Sequence, residues 1–345
     1  MRENINNLPK VSFAIPTLNA ANDLPRCLKS ISIQDYPKDL IEIIVADGGS
    51  NDDTLKIANN FGARVLNNLV RVQEHGKVLA FENACGEIVF FLDADNALPN
   101  KNWLKLMVQP FVENKEVMAC FTPIIVPKDT NSFDRYFALM HSDPFSFFVY
   151  GKAAFAEDFD QIYEIETKKD NYIIYKFTIQ NHLLLGTAQG TGLRRSFNRK
   201  NEFKNDDVLP IIQIIEEGKK IAYVPNAGCY HYCIKNFRHF LKKMRWRIRN
   251  NIIQKQKGWG FVNREIYLNK TRKFKKYLFI PYSLSMVLPI FSAIKNAIRF
   301  KKWEWLWHGP ATISLGIEIF IEYIKYFLGF EIFLGDYGKT SKNDK

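Results

Sequence analysis

Asp93 and Asp95 stand one residue apart in FFLDADN at Phe90 to Asn96, directly after an apolar run. If strand geometry persists to that point, side chains two apart share a face, so the two carboxylates point the same way. Carboxylate oxygens suit hard divalent ions. An ion held by one or two of them can bridge phosphate oxygens and neutralise the charge on a departing diphosphate. A second acidic strand end, ADGGSNDDT at Ala46 to Thr54, places Asp47 at a tip, turns through Gly48 and Gly49, and offers Ser50 or Asp52 as a helix cap. Asp47 there can accept a hydrogen bond from a base imide or a ribose hydroxyl, the plain alternative being a capped strand-to-helix turn. Cys229, His231 and Cys233 alternate and would share one face of a strand, a conceivable soft-metal arrangement that lacks the fourth ligand and the spacing of zinc sites.

The elements around these residues give them weight. VSFAI from Val11, a helix from Asn22 to Gln34, IEIIVAD from Ile41, a helix opening near Asp52, a strand at Ala63 to Leu66, a helix from Gly76 to Ala84 and EIVFFLD from Glu87 alternate in order. That alternation marks parallel βαβ units, and the continuous apolar runs suit strands covered on both faces. The expected fold class is α/β, a Rossmann-like and mostly parallel sheet flanked by helices, with ligands at the carboxyl ends of its strands. Neither G-x-G-x-x-G after the first strand nor G-x-x-x-x-G-K-[ST] occurs, which removes the main support for a dinucleotide dehydrogenase or a P-loop nucleotidase. Beyond residue 100 the pattern predicts a helix at Trp103 to Val112 and a strand at Val117 to Val126. An aromatic-rich stretch to Tyr175 has no assignment. Then come GTAQGTG at Gly186 to Gly192, a helix from Asp206 to Glu217, the strand KIAYVP and a basic helix from Phe237 to Gln256.

AIPTLNA at Ala14, ADGGSNDDT, GKVLAFENACGEIVFFLDADN at Gly76 and DDVLPIIQIIEEGKKIAYVPNAGCYHY at Asp206 together resemble the ordered signature of family 2 glycosyltransferases of the GT-A fold, over about two thirds of the chain. The resemblance implies an inverting transfer from a UDP- or GDP-sugar with Mg²⁺ or Mn²⁺. It implies Pro16, Thr17, Asn19 and Asp47 near the nucleoside, Lys77 near the diphosphate, Asp93 at the ribose or metal, Asp95 on the metal, and His231 completing the metal site. The family's catalytic base is the Asp of an E-D pair about a dozen residues before a Gly and a strand. Asp206-Asp207 precedes Gly218 and IAYVP in the same way, which implies Asp207 as base, with Asp206 in place of the usual Glu. KKMRW is similar to the Q-x-x-R-W motif of processive polysaccharide synthases, with Lys242 in place of Gln, and implies Arg245 on the leaving diphosphate.

The 345-residue chain carries a net charge of +12, with 15 Lys/Arg and one Glu between Lys235 and Lys276. The basicity therefore belongs to one segment, suited to anionic lipid head groups; no recognition module for nucleic acid surrounds it. Tyr277 to Ile294 is uncharged but interrupted by Pro281 and Pro289, and Ala311 to Phe330 places Glu318, Glu322 and Lys325 on one helical face. These predict interfacial or anchoring helices, the alternative being buried core helices. The expected layout is a catalytic domain over 1–234, with a nucleotide half to about 100 and an acceptor half from 101. A basic helical segment at 235–276 and membrane-associated helices with a polar tail at 277–345 complete it. Five cysteines without C-x-x-C pairing read as reduced thiols, and the N-terminus shows no apolar signal region. The expected setting is the cytoplasmic face of a membrane and the expected acceptor a hydroxyl of a lipid-linked or cell-surface glycan. The rivals are transfer to a polyprenyl phosphate and a non-catalytic nucleotide-sugar binding protein at the membrane.

Overall fold

A computed structural model describes residues 8–151, 158–182, 185–200, 207–256 and 265–333. The chain divides into two units: Met1–Ile125 with Asp160–His231, and Val126–Phe159 with Tyr232–Lys345.

In the first unit, β1 (Val11–Thr17) is buried along its whole length, as its apolar run requires. It pairs in parallel with β2 (Ile41–Asp47) and with β4 (Ile88–Phe91), and β3 (Arg64–Asn67) adds in parallel outside β2. The crossover helices are α1 (Leu24–Ser32), α2 (Thr54–Asn60) and α3 (Gln73–Glu82). Because β2 and β3 lie on one side of β1 and β4 on the other, the chain reverses its winding direction between β1 and β4. The loops after these two strands therefore open at the crevice where ligands of such sheets bind. Trp103, the first residue of α4 (Trp103–Glu113), packs on Phe90 and Phe13 with ring centroids 5.2 and 6.3 Å away. Its indole donates to the Gly228 carbonyl at 2.6 Å, so the largest core side chain also satisfies its one polar atom.

The sheet continues through β10 (Thr191–Arg194), antiparallel to both β4 and β6 (Val117–Phe121). Beyond β6 lie β11 (Lys220–Tyr223), parallel to it, then β9 (Ile173–Tyr175) and β8 (Ile165–Lys168). The single strand expected over Val117 to Val126 is broken at Thr122 and Pro123, since proline has no N–H for the ladder. Past this break, β7 (Ile124–Ile125) joins β5 (Asn96–Ala97) and β12 (Cys229–His231) in a small second sheet. A one-turn helix α7 (Phe159–Ile162) precedes β8, and α8 (Leu209–Glu216) precedes β11.

The second unit has other bounds than the segments expected on either side of residue 234. Residues 126–159, placed in the acceptor half by the sequence reading, group with the C-terminal helices instead. The reason is their aromatic content. Phe133, Tyr136, Phe137 and Met140 of α5 (Ser132–Met140) share a core with Phe240 and Met244 of α9 (Phe237–Gln256), Trp305 and Leu315. Buried Asp134 accepts from the backbone N–H of Cys233 and Ile234 at 3.0 and 2.7 Å, fixing the approach to α9. The helix α6 (Pro144–Tyr150) completes this portion.

The uncharged run from Tyr277 does not form one rod. It lies in α10 (Lys270–Leu284) and α11 (Val287–Phe300), bent by 100° at a break where Met286 takes φ 58°. Among the described residues no single helix is long and apolar enough to cross a membrane, though this bent pair passes that test by length and composition. The last helix, α12 (His308–Phe327), crosses α10 at Gly316, where a Cβ would lie 2.4 Å from the Ser283 Cβ. Gly316→Ala should therefore cost about 1–3 kcal/mol in chemical denaturation through overpacking. An unchanged midpoint would show that the two helices have slack at this crossing.

Candidate active site

The site begins with a knot between the loops after β1 and β2. Asp47, 3% exposed, accepts from Thr17 Oγ1 at 2.9 Å, from Ser50 Oγ at 2.5 Å and from the N–H groups of Gly49 and Ser50 at 2.8 Å each. Asn19, at φ 52°, donates its N–H to Ser50 Oγ at 2.8 Å and accepts from the Asn51 N–H at 3.0 Å. The carboxylate suggested by the sequence as a partner for base or ribose thus has its lone pairs engaged within the protein. In this geometry Asp47 shapes the loop that carries Pro16, Thr17 and Asn19.

Asp93 and Asp95 do not continue a strand. β4 stops at Phe91, and a turn closes with the Asn96 N–H on the Asp93 carbonyl at 2.9 Å and the Asp93 N–H on Asn96 Oδ1 at 2.8 Å. The expectation that extended geometry would align both side chains fails for this reason, and the turn gives each carboxylate its own partner. Asp93 Oδ1 lies 3.1 Å from Lys77 Nζ and accepts from Gln73 at 2.5 Å, while Gln189 donates to its Oδ2 at 3.3 Å. Asp95 Oδ1 lies 3.5 Å from His231 Nε2. The second sheet explains that approach, because β12 pairs His231 with Asn96, the neighbour of Asp95.

Lys77 is 3% exposed on α3. Burial opposes its charge, but Asp93, Asp207 and Glu74 outweigh it, so its pKa is raised above the ordinary lysine value. A buried ammonium held charged at a strand-end crevice is a ready partner for phosphate oxygens. Close helix approach makes the position available, since Gly76 sits where a Cβ would meet Pro16 at 3.1 Å.

Asp207 precedes α8 rather than opening it, because the helix begins at Leu209 with Pro210 in its first turn. Its carbonyl accepts from the Thr187 N–H at 2.9 Å, and its carboxylate covers Gly186, where a Cβ would lie 2.9 Å from Oδ2. Asp207 is half-buried and its charge reaches Lys77, so it shares the electrostatic environment of Asp93. Asp206 lies outside the described residues.

The remaining candidates separate. Arg245 belongs to the second unit, where it grips Glu318 with both Nε, at 2.8 Å, and Nη2. Cys229 is fully buried, and burial pushes its thiol pKa well above the ordinary value, as a core thiol rather than a metal-binding thiolate requires. Cys233 is buried in the second unit, with Lys243 Nζ 2.9 Å from its sulfur. All five cysteines are free. Sequence reasoning missed Gln73 and Gln189, whose amides orient Asp93, and Gly186, which makes room for Asp207. The GTAQGTG run was the available signal: Gln189 at φ 45° and Gly190 at φ 83° form a turn that a regular strand would not need.

The donor set suits a hard divalent ion. Asp95 and Asp93 offer carboxylate oxygens within one turn, and His231 adds an imidazole nitrogen beside Asp95.

The model of "Glycosyl transferase family 2" matches residues 12–200. "Glycosyltransferase AglE" of Haloferax volcanii is 36% identical over 104 residues, 28% of this chain and 34% of that protein, so the chain spans about a third of that relative's length. A Methanococcus voltae protein is 25% identical over 251 residues, covering 68% of this chain and 70% of that one. It is named "Dolichyl N-acetyl-alpha-D-glucosaminyl phosphate 3-beta-D-2,3-diacetamido-2,3-dideoxy-beta-D-glucuronosyltransferase". A solved structure of a mannosyltransferase from Pyrobaculum calidifontis, in complex with GDP-Man and Mn2+, is 18% identical with a TM-score of 0.49 over 92% of this chain and 89% of that one. With the family match extending over more than half of its length, this chain belongs to glycosyl transferase family 2.

Proposed function

We propose that the protein is an inverting glycosyltransferase that moves a sugar from a UDP- or GDP-sugar to a hydroxyl of a lipid-linked or cell-surface glycan. The observation that carries this reading is the shared environment of Lys77, Asp93 and Asp207. A cation for the leaving diphosphate and a carboxylate able to take a proton belong to the same unit of the fold.

In this reading the acceptor oxygen attacks the anomeric carbon as its proton passes to Asp207, and the bond to the nucleoside diphosphate breaks on the opposite face. Asp95 and His231, with Asp93 beside them, would hold Mg²⁺ or Mn²⁺, which when bound neutralises charge on the diphosphate oxygens. Lys77 supplies fixed positive charge from the buried side. The bonds at Asp47 keep the nucleoside loop in shape before the donor arrives.

A base is needed for a hydroxyl and not for a phosphate that is already ionised, so Asp207 supports the hydroxyl acceptor over a polyprenyl phosphate. The Methanococcus relative, whose name gives a dolichyl-linked sugar, supports a lipid-linked acceptor. Such an acceptor would be met at a membrane surface, which in this reading is the cytoplasmic face. Attraction to anionic lipid is assigned to exposed cations such as Arg238, because Arg245 and Arg249 are paired with Glu318 and Glu322. The test is a screen of nucleotide sugars for released nucleotide, with and without a pool of lipid-linked glycans. Release from one donor that rises with the glycan pool is the expected result, and release that rises equally with polyprenyl phosphate alone would overturn the hydroxyl assignment.

A further inference from the structure

The helix α12 is turned inside out for a protein in water. Its charged residue Glu322 is 1% exposed and paired with Arg249 at 2.8 Å and Lys325 at 3.1 Å, and Glu318 is taken up by Arg245. On the adjoining stripe, Ile317, Phe320, Ile321, Ile324 and Leu328 are 39%, 46%, 40%, 40% and 70% exposed. The sequence suggested an amphipathic interfacial helix with Glu318, Glu322 and Lys325 on one face. The structure commits those charges to α9 and leaves the apolar stripe outside.

The bend between α10 and α11 repeats the pattern. Met286, Val287, Leu288 and Phe291 are 57%, 71%, 52% and 65% exposed at and just beyond the 100° break. Soluble proteins seldom expose contiguous apolar surface on this scale unless something covers it. The surrounding charge is consistent with one occupant. Between Glu265 and Glu304 there is no acidic residue and there are nine Lys/Arg. The exposed lysines Lys270, Lys273, Lys295, Lys301 and Lys302 flank the apolar bend along the chain on both sides. Apolar side chains bracketed by cations match the acyl boundary and the anionic head groups of a bilayer.

We infer that α12 and the α10–α11 bend form a membrane-docking face that inserts into one leaflet of an anionic bilayer without crossing it. The inference rests on the membrane setting proposed above and specifies how contact is made: apolar insertion supplies the hold, and the lysines supply the preference for anionic lipid. A pair of helices bent by 100° suits a wedge in one leaflet, because the second helix turns aside at Met286 instead of continuing in the direction of the first.

The experiment is flotation of the full chain with phosphatidylcholine vesicles, with and without phosphatidylglycerol, at low salt and in 1 M NaCl. Two double variants, Val287→Ser with Phe291→Ser and Phe320→Ser with Ile324→Ser, are run beside it. Expected is flotation that is stronger with the anionic lipid, persists in high salt, and falls at least about tenfold in each variant. UDP or GDP binding by calorimetry should stay unchanged in both variants, which controls for folding. Complete release by salt would overturn the apolar face while leaving an electrostatic membrane contact. No flotation under any condition would overturn both. A chain that fails to float and runs as a dimer converted to monomer by the same substitutions would assign the face to a second copy and overturn the inference. Turnover of Asp207 variants on a detergent-solubilised acceptor does not depend on vesicle binding, so failure here and failure of the catalytic reading are distinguishable.

Discussion

Asp207→Asn is expected to lower single-turnover sugar transfer by roughly 10² to 10⁴ at saturating donor and metal, with donor affinity nearly unchanged. Asparagine keeps the size of the side chain over Gly186 and removes only the ability to take a proton. Gly186→Ala gives an independent arm, because the new methyl would crowd a carboxylate whose Oδ2 lies 2.9 Å from its position. A displaced but intact base should cost up to about 10²-fold, less than the missing base. Asp206→Asn should be milder than either. Near-wild-type rates for Asp207→Asn would remove the base assignment and favour an acceptor that is already anionic, and a larger loss at Asp206 would move the role one residue earlier.

The second large effect concerns the divalent ion. Asp95→Ala should abolish the ion-dependent part of UDP or GDP affinity measured by calorimetry, leaving a residue of binding equal to that of the parent protein in EDTA. Because His231 would itself hold the ion, His231→Ala should weaken ion affinity by more than the roughly 10- to 100-fold that loss of a supporting partner costs. Neither change touches the aromatic core around Trp103, so thermal unfolding should be little altered. Equal nucleotide affinity with and without EDTA in the parent protein would exclude this metal site.

The parallel half of the fold was legible because each strand announces itself as an uninterrupted apolar run and each crossover as a helical period. The order Val11, Ile41, Arg64, Ile88 is what the structure contains. Helix starts were less legible: the predicted start at Asp206 gave way to Leu209, since a proline is favoured in a first turn and Pro210 sits there. Residues 126–159 could not be placed from periodicity, because their aromatic side chains pack on helices a hundred residues later and nothing local records that partnership. At the site, residue types predicted chemistry better than geometry. Asp93 and Asp95 were recognisable from their spacing, but their separate partners depend on a turn closed by Asn96 and on a second sheet that brings up His231. Asp207 and His231 also lie beyond the family match, which ends at residue 200, so their assignment leans on position within the fold.

The placement of β10 between β4 and β6 sets an order for biosynthesis. Thr191 pairs with Phe91, about 100 residues earlier, and Gly192 pairs with Cys120. Until the chain has been made as far as Arg194, β4 lacks the neighbour that covers its outer edge, and β6 has no hydrogen-bonded link to the four N-terminal strands. A nascent chain stalled before that point exposes an unpaired strand edge of Ile88 to Phe91, a ready template for wrong pairing. Closing the central seam is thus a late and long-range event, and the stretch carrying Gly186 and Gln189, which border Asp207 and Asp93, is drawn into place by the same strand that completes the sheet.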